Sequence, residues 1–84
     1  MAISTAIRHL KQGDWEKAHA LVREDGTPAG CWAHGLVHLI EGDIGNARYW
    51  YRRAGRPFPA GPDAGAEIEA LAAAIKRRRA SQVA

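Results

Sequence analysis

Shifted against itself by 29 positions, the chain repeats. His9, Leu10, Gly13, Asp14, Ala18, Arg23, Gly26 and Pro28 meet His38, Leu39, Gly42, Asp43, Ala47, Arg52, Gly55 and Pro57. Ala6 meets Gly35, both small, and Ile7 meets Leu36, both apolar. The identities fall on residues that start and stop helices. A fixed period of this length marks a supersecondary unit used twice, because one unit alone cannot bury its own apolar face.

The punctuation gives the elements. A first helix runs from about Ile3 to Gln12, with Gly13 as the left-handed residue after its last turn. Asp14 caps a second, about Trp15 to Glu24. "DGTP" is a turn, and Pro28 suits the first turn of a third helix, about Ala29 to Glu41. Gly42 stops it, and Asp43 caps a fourth, about Ile44 to Ala54. "GRPFPAGP", residues 55–62, cannot be regular structure. A C-terminal helix covers 63–80, with Ile68, Leu71, Ala72 and Ile75 on one face. No strand pattern is present. The expectation is an all-α single domain of about five helices: two hairpin copies, about 2–27 and 28–59, the linker 55–62, and a capping helix.

The residues around the turns resemble the tetratricopeptide repeat. "KQGDWEKA" (Lys11 to Ala18) looks like that family's turn segment. Ala6 with Ala18, and Gly35 with Ala47, match its close helix contacts. Tyr51, Ala54 and Pro59 match its closing positions in the second copy; Val22 and Asp25 match less well in the first. "NARYWYRRAG" (Asn46 to Gly55) is similar to the closing helix of Sel1-like repeats. The W-x-H…H-x-x-E-G-D…N-A-x-Y-W-Y-x-R-A pattern from Trp32 to Ala54 resembles that of a group of small uncharacterised bacterial and fungal proteins. The period is 29 against the family's usual ~34. The resemblance implies antiparallel helical hairpins and a module that binds a protein partner; it implies no enzymatic activity.

In such hairpins Trp32, Leu36, Leu39 and Ile40, with Ile3, Ile7 and Leu10, form an apolar face that water cannot be left to cover. The C-terminal helix is the expected lid, and a second copy of the chain is the alternative. Ile44, Ala47, Tyr51 and Ala54 are expected in the core, Trp50 half-buried and Tyr49 outside.

Chemistry concentrates on the third helix. Cys31, His34, His38 and Glu41 form one stripe, where the family has apolar residues, and His9 echoes His38. The first reading is structural, with neutral imidazoles hydrogen-bonded near the core. A second is a metal site made by His34, His38 and Glu41. A third is a cleft in which His9, His34, His38 and Glu41 bind or act on a small polar ligand. His19 reads as a surface residue and Cys31 as a small packed one. Tyr49 among Arg52 and Arg53, with Arg56 near, reads as a contact patch for an acidic peptide or phosphate, or as a solvated face.

Composition removes other classes. The formal charge is +3, and seven of twelve basic residues lie in "YRRAGR" (51–56) and "KRRR" (76–79). That is narrower than a nucleic-acid face, and helix C-termini favour such residues in any case. No apolar run approaches the ~18–20 residues of a membrane span. One cysteine excludes an internal disulfide, and the first residues lack a signal pattern, so a cytoplasmic location is expected. No motif calls for a cofactor. A protein partner or self-association is the expected business of the chain.

Overall fold

The computed structural model describes residues 2–61 and 63–83, with side chains as far as Arg78. Pro62 of the linker and the Arg79 side chain of the basic run lie outside the described residues. Five helices follow one another: α1 (Ala2–Lys11), α2 (Trp15–Val22), α3 (Pro28–Glu41), α4 (Ile44–Ala54) and α5 (Ala64–Val83). The fold is all-α, and no strand occurs among the described residues.

The turns form as the two Gly-Asp pairs dictate. Gly13 and Gly42 take positive φ values of 77° and 92°, a conformation that costs an L side chain strain. Asp14 then accepts the Lys17 backbone N–H (3.2 Å), and Asp43 accepts that of Asn46 (3.3 Å). Each bond satisfies one of the amides a helix start leaves unpaired. Asp63 does the same for α5 through Ala66 (3.1 Å). Thr27, within the "DGTP" turn, caps α3 by accepting from Gly30 (3.0 Å). α2 ends two residues earlier than expected. Asp25 explains this: its carboxylate accepts both the Thr27 amide (2.9 Å) and hydroxyl (2.7 Å), which commits the chain to a turn.

Short connections leave consecutive helices side by side. α1 packs on α2, α2 on α3, and α3 on α4, while α5 lies against α1 and α3. α5 therefore serves as the lid within its own chain. Ile68, Leu71 and Ile75 are buried together with Ile3, Ile7, Leu10, Trp32 and Leu36 in one core. No second copy is needed to cover the apolar face of α1 and α3. Tyr51 ties the lid down: its hydroxyl donates to Glu67 on α5 at 2.6 Å. Lys11 and Glu69 add an exposed ion pair at 3.6 Å, which contributes little.

Ile44 departs from expectation. It is 41% exposed rather than in the core with Ala47, Tyr51 and Ala54. As the first residue of α4 it sits beside the exposed turn, where α3 has already ended.

α3 and α4 approach closely at Gly35. A Cβ built there would stand 2.6 Å from Tyr51 Cδ1, 2.9 Å from Cε1 and 3.3 Å from the Ala47 carbonyl oxygen. Gly35→Ala would ordinarily gain about 0.5–1 kcal/mol in a helix interior. Here overpacking against a fully buried ring should reverse the sign, for a net loss of about 1–3 kcal/mol. Urea unfolding measures it, and a stabilised variant would show that the ring has room to move.

Candidate metal centre

Three histidines from two helices meet. His34 and His38 stand one turn apart on α3, and His19 reaches them from α2. The Nε2 atoms of His19 and His34 are 3.1 Å apart. One ring nitrogen from each of the three lies within 4.8 Å of the others. The ring centroids are 4.8 Å apart for His19 and His34, 5.0 Å for His34 and His38, and 5.6 Å for His19 and His38.

Why they converge follows from helix geometry. Ala18 and Val22 turn the buried face of α2 into the core. His19 is one residue on from Ala18, about 100° around the helix, and so emerges along the seam with α3. On α3, Gly35 faces Tyr51, and His34 sits one residue before it. On α4, Trp50 sits one residue before Tyr51. The contact that joins Gly35 to Tyr51 thus lays Trp50 on His34: their rings stack at 3.8 Å with an interplanar angle of 10°. The Arg53 guanidinium lies 5.2 Å from the centroid of the same indole.

His34 is 4% exposed. Burial pushes its pKa down from 6.5 to about 4, with the positive charge that His19 and His38 would carry acting in the same direction. It is a neutral imidazole at pH 7, which is the form that offers a lone pair to a metal. Two Nε2 atoms face to face can share one proton or one ion. Its other nitrogen, Nδ1, is buried with no hydrogen-bond partner among the described residues. Such an orphan costs about 1–3 kcal/mol.

His38 is held differently. Its Nδ1 lies 2.8 Å from Glu41 Oε1, one turn along α3. That contact fixes the ring and leaves Nε2 as the nitrogen for another partner. A carboxylate behind an imidazole is the usual support of a metal-bound histidine. Asp43 belongs to a second group of possible ligand atoms with His38 and Glu41. The Asn46 side chain, then the Asn46 amide, hold its carboxyl below the usual range, so it stays ionised beside His38.

The residues singled out from the sequence divide. His34 and His38 come together, and Glu41 joins them only through His38. His9 stays apart, half-buried on α1. Its repeat relation to His38 places it at an equivalent position on another helix, not in the same site. Tyr49 is exposed and accepts a hydrogen bond from Arg53 Nη1 at 3.2 Å. Arg52 turns away from that pair and lines a cavity with Arg48 and Arg56. Cys31 is buried and packed. His19 and Trp50 are the members that sequence reasoning missed. For His19 the available signal was its place next to Ala18, on a helix that packs against both α1 and α3.

Comparison with family models, with curated proteins and with solved structures finds no match to this chain. Among the described residues no helix is long and apolar enough to cross a membrane.

The low pKa of His34 sets a pH dependence. Between pH 6.5 and about 4 the unfolded chain binds a proton here that the folded chain refuses. Stability therefore rises with pH across that window and is fully present above it, at up to ~1.4 kcal/mol per pH unit. Asp43 acts only below its ordinary 3.8. In metal-free buffer, moving from pH 7 to 4.5 should lower the urea midpoint, and His34→Gln should flatten the change. An equally steep loss in His34→Gln would assign the effect to another group.

Proposed function

We propose that the chain is a helical module that binds one divalent transition-metal ion through His19, His34 and His38. The carrying observation is the three-imidazole cluster across α2 and α3, with ring nitrogens within 4.8 Å of one another. Nitrogen ligands at ~2.0–2.1 Å from a tetrahedral ion stand about 3.3 Å apart. The 3.1 Å between His19 and His34 is already close to that figure. A tilt of the half-buried His38 ring brings in the third. Imidazole ligands suit zinc, nickel and copper, not calcium or magnesium. Three protein ligands leave one position of a tetrahedral ion for water or a small ligand. Glu41 acts from behind His38, and Trp50 holds the plane of His34.

The scaffold is read as two tetratricopeptide-like hairpins closed by α5. In that reading the face such repeats offer to a partner is taken up by the lid, so the His cluster, at the α2–α3 seam, is what remains distinctive.

Zinc or nickel should raise the melting temperature of the protein in a dose-dependent way. A ligand at a hundred times its Kd adds about 2.7 kcal/mol to stability. His19→Ala should remove that rise, since His19 is half-buried and its loss leaves the core intact. His38→Ala should do the same, and His9→Ala should not. Cobalt substitution should give the intense visible absorption of a tetrahedral complex. A melting temperature indifferent to metal, or a rise that survives His19→Ala, would leave the cluster a structural hydrogen-bond pair.

A further inference from the structure

On the side of α4 away from the histidines lies a second site, independent of the metal reading. Arg48 and Arg52 stand one turn apart on α4, and Arg56 follows just past its end. Positions 48 and 50 differ by about 200° around the helix, so Arg48 points away from Trp50 and the His cluster. With Tyr51 and Phe58 these arginines line an open cavity of about 230 Å³.

Two of the three guanidiniums are positioned by aromatic rings. Arg48 lies over Phe58 at 4.5 Å, and Arg56 over Trp32 at 3.7 Å. Phe58 packs edge-on against Tyr51 at 5.4 Å, which anchors the irregular segment to the core. Stacking of this kind fixes a guanidinium while leaving its N–H groups free to bond in plane. Among the described residues, no carboxylate comes within 4.0 Å of any of the three. The one acidic group on the Tyr51 ring, Glu67, takes the phenol hydrogen. Burial, then that bond, drives the Tyr51 pKa upward, so the ring adds no negative charge to the cavity.

The dipole of α4 accounts for basic residues in its last turn, Arg52 and Arg53. It does not account for Arg48 in the middle of the helix, or for three unpaired cations around one concavity. Like charges so grouped repel unless an anion joins them. A cavity of 230 Å³ is below the ~300–1,000 Å³ of a drug-sized pocket and suits a small headgroup.

We propose that Arg48, Arg52 and Arg56 form a binding site for a phosphate monoester. The dianion supplies three acceptor oxygens and a charge of about −1.5 to −2, which matches several forked donors better than a single carboxylate does. Phe58 offers an apolar wall to the organic group the phosphate carries.

The test uses phenyl phosphate as the probe, followed by amide NMR shifts at low and fixed ionic strength. Shifts should centre on residues 48–58, inorganic phosphate should displace the probe, and benzoate should bind more weakly. Arg52→Gln, at an exposed position, should weaken binding about tenfold. Arg77→Gln with Arg78→Gln should leave it within twofold. Shifts centred on residues 76–78, affinity unaffected by Arg52→Gln, or benzoate binding as tightly as phenyl phosphate would each overturn the proposal.

Discussion

The contact of Tyr51 with the backbone of α3 at Gly35 governs the molecule. It brings α3 and α4 so close that a Cβ at 35 would stand 2.6 Å from the ring. Everything else of interest is displaced from it by one residue or one bond. A step back on each helix puts Trp50 flat on His34. At the far end of the same tyrosine, the hydroxyl holds Glu67 and with it the lid helix. Its edge receives Phe58, which carries Arg48. One buried ring thus sets the histidine side, the arginine side and the closure of the core.

Much of this was legible in the sequence because it depends on local chemistry. A left-handed glycine followed by an aspartate cap is decided within four residues, so the turns at 12–14 and 41–43 follow from Gly13, Asp14, Gly42 and Asp43 alone. The close approach of Gly35 to Ala47 is what the tetratricopeptide resemblance implies, and a Cβ at 35 would stand 3.3 Å from the Ala47 carbonyl oxygen. The apolar spacing of Ile68, Leu71 and Ile75 identifies the lid, because a one-faced helix and an uncovered face satisfy each other.

The site was legible only in part, for a physical reason. His34, His38 and Glu41 share a helix, so their spacing is their geometry. His19 lies fifteen positions from His34, and Trp50 sixteen. Whether such residues meet depends on the rotation of one helix against the next. Propensity does not encode that angle; the packing of Ala18, Val22, Gly35 and Tyr51 does. Ile44 fails for the opposite reason. Its character is apolar and its register correct, but it is the first residue of its helix, beside an exposed turn, and it is 41% exposed.

The cost of the cluster argues that it is not incidental. A domain of this size has a net stability of roughly 4–13 kcal/mol. A leucine at position 34 would gain about 1.5–3 kcal/mol from full burial. The histidine there instead leaves Nδ1 without a partner and is forced to shed its proton against an ordinary pKa of 6.5. Trp50, the ring stacked on it, would cover a leucine as well. At this one buried position the difference is a substantial fraction of the stability available to so small a core, while His19 and His38 are half-buried. A hydrogen bond between His19 and His34 returns about 1 kcal/mol and uses two of the three rings. The third ring, His38, pairs with Glu41 at 2.8 Å. The proposed ion would be held by all three rings, with Glu41 behind His38.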